Sequence, residues 1–142
     1  MKEQIKSPRK GYIIDNGFIS SKVTMFSQNT GKLMENLVFT ELLKEGFEPN
    51  RSLFYYKTKN QEEVDFVIKE DTKIRALIQV CYQFSDIRTR DREFKGLFAA
   101  GEELNCDKLY IITWDREEEI RKKDKKITVI PLYKWLYYRW PL

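Results

Sequence analysis

The chain has 142 residues, 42% of them hydrophobic and 14% aromatic. That composition predicts one packed domain over residues 1–142 and argues against disorder. Its 26 basic and 22 acidic side chains give a net charge of +4, a mild basic excess suited to polyanion contact. The absence of histidine excludes a Ser-His-Asp triad, a Cys-His dyad and any histidine metal ligand within this chain.

In chain order, residues 1–10 are polar and basic and read as a loose N-terminal segment. Gly11 to Gly17 is a short strand running into an Asn-Gly turn. Ser27 to Thr30 reads as a polar linker, with Thr30 as N-cap of the following helix. Leu33, Met34, Leu37, Val38 and Leu42 recur at helical spacing over Lys32 to Lys44, and Gly46 closes that helix. Strands follow at Leu53 to Lys57, Val64 to Ile68 and Arg75 to Tyr82, the last two joined by a hairpin turn at Glu70-Asp71-Thr72-Lys73.

Asp86 to Leu104 is the second helix, with Phe94, Leu97, Phe98, Gly101 and Leu104 on one face. A strongly apolar strand follows at Asp107 to Trp114, and the strand–helix–strand unit requires its two strands to be parallel. Asp115 to Lys126 reads as a charged hairpin, Ile127 to Ile130 as a last strand, and Leu132 to Arg139 as a short aromatic helix. This order predicts an α/β fold, a mixed sheet with helices on its faces. No apolar run approaches ~18 residues and no secretory signal is evident, so a cytoplasmic protein with no membrane partner is expected. Cys81 and Cys106 read as reduced thiols.

One constellation carries chemistry. Residues 65 and 79 are symmetric about Thr72, so Asp65 and Gln79 should be cross-strand neighbours. Alternation puts Glu63, Asp65 and Val67 on one face of the first strand, opposite Val64, Phe66 and Ile68. It also groups Leu77, Gln79 and Cys81 on the next strand. A helix packed beside them can add Glu35. Acids grouped this way can hold a divalent ion, which polarises a phosphate and activates water. Oxygen ligation without histidine points to Mg²⁺ or Mn²⁺.

Glu35, Asp65 and Gln79-Val80-Cys81 resemble the three-part signature of the PD-(D/E)XK nuclease superfamily, which includes archaeal Holliday-junction resolvases. A wider resemblance runs through Arg9 to Gly17, Gly31 to Val38, Tyr56 to Lys59, Glu63 to Ile68, Ile78 to Tyr82 and Ile130 to Trp135. These blocks are similar to the uncharacterised C-terminal domain of archaeal and bacterial AAA-type ATPases.

The resemblance implies a restriction-endonuclease-like fold, with Glu35, Asp65 and Gln79 at the catalytic positions. Asp65, Gln79 and the Val80 carbonyl would be the metal ligands. It implies DNA and an AAA-type ATPase module, in cis or in trans, as partners, and leaves oligomeric state open. Cys81 stands where the family has lysine, and a thiol is mostly neutral at pH 7 (ordinary pKa ~8.5). A replacement amine would come from Lys57 or Lys69. The expected function is therefore an accessory domain with a degraded site, acting through nucleic-acid or protein contact. An active Mg/Mn-dependent endonuclease with a relocated lysine is the alternative. A pure interaction module, docking through the C-terminal aromatic helix, is the third.

Arg88, Arg90, Arg92 and Lys95, with Lys57, are the candidate nucleic-acid contacts. Each of these residues also has a purely structural use. Asp65 and Glu35 can face solvent, Gln79 can be a buried amide with satisfied hydrogen bonds, and Cys81 can be core.

Overall fold

A computed structural model describes residues 27–138; the expected N-terminal segment 1–10 and the Gly11 to Gly17 strand lie outside them. Three helices and six strands follow in the order α1 (Ser27–Lys44), β1 (Leu53–Lys57), β2 (Glu63–Glu70), β3 (Lys73–Cys81), α2 (Ile87–Glu103), β4 (Lys108–Thr113), β5 (Glu118–Lys122), β6 (Lys125–Pro131) and α3 (Leu132–Tyr138). The strands form one mixed sheet in the order β1-β2-β3-β4-β6-β5. β3, β4 and β6 are parallel neighbours, while β1, β2 and β5 join antiparallel. The α/β mixed sheet flanked by helices is the expected fold class.

Both faces are buried. Met34, Val38 and Leu42 of α1 and Leu132 and Trp135 of α3 pack on Phe66, Ile68, Ala76, Ile78, Ile112 and Ile130. On the opposite face, Leu97, Phe98 and Ala100 of α2, with Leu104 at its C-cap, cover Val64, Val67, Leu77, Leu109, Ile111, Ile127 and Val129. The central strands are therefore continuous apolar runs, as parallel strands covered on both sides must be.

Helix ends follow local chemistry. Asp86 caps α2, its Oδ1 accepting from the Arg88 and Thr89 N–H groups at 2.9 and 3.4 Å. At the end of α1, Gly46 has φ +99°, the Gly46 N–H donates to the Leu43 carbonyl and the Phe47 N–H to the Leu42 carbonyl. That is the paired-bond helix stop for which a left-handed glycine suits best. α1 is already helical at Ser27, the first described residue, rather than only after Thr30. The expected Ser27–Thr30 linker is helical and Thr30 is not its cap, because this polar stretch contains no proline to stop the helix propagating toward its N-terminus.

Two bulges set the register around the site. Phe54 faces Val67 while Tyr56 faces Val64, so β2 holds one extra residue there. Strict alternation along β2 is therefore broken: Val64 and Val67 both pack toward α2, and Phe66 and Ile68 pack toward α1. This corrects the expected grouping of Val64 with Phe66 and Ile68. A second bulge falls between the pairs Ile68–Ala76 and Lys69–Ile74 and leaves Arg75 as the extra residue.

Candidate functional site

The site lies where β2 and β3 part. Their ladder runs to the pair Phe66–Ile78 and no further, although β2 starts at Glu63 and β3 continues to Cys81. Beyond that point β2 stays with β1 and β3 stays with β4. The backbone groups facing the gap need other partners, and two side chains provide them. The Gln79 Oε1 accepts the Asp65 N–H at 2.9 Å, and the Asp65 Oδ2 accepts the Val80 N–H at 2.9 Å. Each side chain takes a donor from the opposite strand, so together they latch the diverging ends. Asp65 and Gln79 are both buried, which makes these bonds costly to lose.

The amide of Gln79 reaches further. It hydrogen-bonds the carboxyl of Glu93 on α2, a residue the sequence reading did not single out. Burial is the main cause that pushes the Glu93 pKa up; Arg92 and the Gln79 bond work against it. The Arg92 Nη2 stands 3.5 Å from the Glu93 Oε1. A signal for Glu93 was present: it precedes Leu97, Ala100 and Leu104 at 4, 7 and 11 positions, along the apolar face of the helix.

Cys81 lies beside this group and is buried among α2 residues. Burial, then the negative charge of Glu93, pushes its thiol up to about 12, with Arg92 opposing. Position 81 is therefore neutral at physiological pH. The cation nearest in effect is the guanidinium of Arg92, which acts on both Cys81 and Glu93.

Around the corner of β2, Tyr55 gathers the remaining acids. Burial first, then a hydrogen bond with Glu63 and the charges of Glu63, Asp65 and Glu35, holds its hydroxyl well above the ordinary tyrosine range. Glu35 is thus brought to the same neighbourhood by α1, as expected. Tyr55 and Glu63 complete the group and were not named as site residues.

Of the two lysines considered as replacement amines, Lys57 reaches the rim, its Nζ 3.8 Å from the Glu63 Oε1. Lys69 does not: it pairs with Ile74 near the hairpin turn, and its Nζ lies 6.0 Å from the centre of the Phe54 ring. Four residues of strand put it ~13 Å along β2 from Asp65.

The α2 arginines divide. Arg90 is committed internally, its Nη2 2.8 Å from the Glu118 Oε2 and its guanidinium over the rings of Phe84 and Phe94. Arg88, Arg92 and Lys95 are exposed, and their spacing places them on one helix face.

The residues present do not fit a divalent cation. The Gln79 oxygen is turned to a backbone N–H, one Asp65 oxygen is engaged likewise, and Cys81 carries no charge to soften into a ligand. Among the described residues, no three Cys, Asp or Glu side chains converge as a metal-holding group. Hard cations such as Mg²⁺ and Mn²⁺ require several converging oxygens, preferably carboxylate.

Residues 30–135 match the family described as Domain of unknown function (DUF4143). The chain belongs to this family. It is also 42% identical over 132 residues to the uncharacterised protein MJ1544 of Methanocaldococcus jannaschii, covering 89% of this chain. The matched part is 29% of that relative's length, so the DUF4143 domain spans less than a third of it. Among solved structures, a chain from the assembly of Thermococcus gammatolerans McrB AAA+ hexamers with bound McrC superposes with a TM-score of 0.45 and 11% identity, over 70% of this chain and 27% of that one. No described helix is long and apolar enough to cross a membrane.

Proposed function

We propose that this DUF4143 domain is a nuclease-like scaffold that holds nucleic acid by its backbone without cutting it, as one module of a longer ATPase chain. The observation behind this reading is the latch. The residues at the expected metal positions are engaged in closing the gap between β2 and β3. Arg88, Arg92 and Lys95 meanwhile leave an exposed basic stripe beside that gap. Lysine and arginine on one helix face bind phosphates largely without regard to sequence. The ATPase context rests on the sequence resemblance alone; the relative, of which this chain matches 29%, supports only the reading as one module of a longer chain.

Fluorescence anisotropy with labelled single- and double-stranded DNA tests the proposal. Affinity in the range of ~1–100 μM that weakens steeply with salt is the expected result. Incubation with Mg²⁺ or Mn²⁺ should give no cleavage that depends on Asp65. Cleavage that vanishes in Asp65→Ala would overturn the proposal in favour of an active endonuclease. Absence of any salt-dependent binding would leave a protein-interaction module as the better account.

A further inference from the structure

The β5–β6 hairpin is densely charged, yet most of its charges are already matched. Glu117 binds Lys134 at 2.6 Å, Glu118 binds Arg90 at 2.8 Å, and Glu119 faces both Lys126 at 3.2 Å and Arg121 at 3.6 Å. Lys125 is nearly buried and donates to the Asp107 Oδ1 at 2.8 Å and to the Cys106 carbonyl at 3.4 Å. Two amines at the tip remain: Lys122 and Lys123 are exposed and enter no ion pair with a described residue.

Both line a groove of about 200 Å³ between the hairpin and α2, along with Lys95, Phe98, Glu102 and Lys125. The Lys122 Nζ lies over the Phe98 ring, 5.9 Å from its centre, so the amine is held at the groove by an aromatic face. Glu102 is an acid on the groove wall. Asp124 shares the turn, and its charge acts on Lys125. Three unmatched amines against one wall carboxylate leave the groove positive.

The tip conformation points the same way. Lys123 has φ +56°, a left-handed backbone that glycine or asparagine adopts at lower cost. A lysine is held there nonetheless. Lys95 belongs to the groove and also to the Arg88–Arg92–Lys95 face of α2, since steps of four and three keep one face of a helix. The groove therefore continues the exposed stripe. An extended polyanion fits such a track better than a single small anion does.

We propose that the tip of the β5–β6 hairpin is a second backbone contact for nucleic acid, with Lys122 and Lys123 joining Lys95 to carry the strand away from the latch along α2. This rests on the nucleic-acid reading above.

The test is anisotropy titration of the full chain with a labelled single-stranded oligonucleotide in stepped KCl, using wild type, K122A/K123A and R88A/R92A. A K44A/K73A variant serves as control, losing the same charge at exposed positions that do not line the groove. Removing two phosphate contacts should lower the slope of log affinity against log salt by about 1.4, at ~0.7 per contact on a single strand. K44A/K73A should keep the wild-type slope.

Unchanged binding by K122A/K123A, with R88A/R92A weakened, overturns the hairpin contact and leaves the wider reading standing. An equal fall in both double-lysine variants also overturns it, because bulk charge would then explain the effect. No salt-dependent binding by the wild type overturns both. Displacement by polyglutamate as readily as by unlabelled oligonucleotide overturns nucleic acid as the ligand. Melting curves matching the wild type confirm that K122A/K123A, altered at exposed positions, is folded.

Discussion

Replacing Gln79 by leucine tests the latch directly. The side chains are similar in volume, so packing is largely kept while two hydrogen bonds are lost. The buried Asp65 N–H loses its acceptor at 2.9 Å. An unsatisfied buried backbone donor costs ~1–3 kcal/mol. The Glu93 carboxyl loses its amide partner as well. A hydrogen bond to a charged group contributes ~1.5–3 kcal/mol. Against this, burying leucine in place of the amide recovers ~1–2 kcal/mol of apolar transfer. The net is a loss of about 2 kcal/mol.

Urea unfolding followed by tryptophan fluorescence reads this out; the chain has 3 tryptophans, and Trp135 is buried against α1's side of the sheet. With a denaturant slope of ~2 kcal/mol/M, the midpoint should fall by about 1 M. Gln79→Glu is the companion variant. It keeps an oxygen for the Asp65 N–H but sets a third carboxylate beside Glu93 and Asp65. Repulsion makes protonation easier in the folded state, so this variant should be weakest near pH 7 and recover as pH falls. A Gln79→Leu midpoint within ~0.2 M of wild type, at unchanged slope, would refute the latch.

Glu93→Gln should change how stability depends on pH. Burial raises the Glu93 pKa in the folded state above its ordinary 4.5. The native chain then holds a proton that the unfolded chain has released, and stability falls as pH rises from about 4.5 through the folded value. The variant lacks this decline, so its melting temperature should be near wild type at pH 4 and above it at pH 7; the reverse order would contradict the burial account. Cys81, pushed up to about 12 by burial, and Cys106, also raised by burial, should resist iodoacetamide at pH 8 in the folded protein and react in urea. Mass spectrometry showing a native Cys81 adduct would refute this.

Gly101→Ala should destabilise by ~1–2 kcal/mol, because overpacking outweighs the helix-propensity gain of ~1 kcal/mol. Its new Cβ would lie 3.0 Å from the carbonyl oxygen of Cys106, a residue whose N–H is tied to the Gly101 carbonyl, and 3.1 Å from a Leu109 methyl. Gly96→Ala meets only the Glu62 side chain, at 3.2 Å, and should be neutral or slightly stabilising. Thermal melts of the pair check the contrast; equal effects would sink it.

Asp65 and Gln79 were found together from sequence because one local rule sufficed, a tight hairpin for β2 and β3, whereas Glu35 came from the family resemblance. The pairing succeeded partly through compensation. The turn centres between Asp71 and Thr72, half a residue short of Thr72, and the bulge at Arg75 restores the offset. Lys69 failed as a site amine because equal parity on a strand says nothing about distance along it. Arg90 has partners that no local rule shows, because Glu118, Phe84 and Phe94 come from elsewhere in the chain.

The sequence by itself determined most of the described elements, the mixed sheet and the neutrality of position 81. These depend on periodicity, caps, turns and side-chain chemistry, all written in adjacent residues. Only the tertiary structure decided what Asp65 and Gln79 do. The ladder between β2 and β3 stops at Phe66 and Ile78, and backbone donors left in that gap must be satisfied. Where a ladder stops depends on how β1 and β4 draw the two strands apart. That is a property of the whole sheet, and it makes Asp65 and Gln79 the latch at its parting.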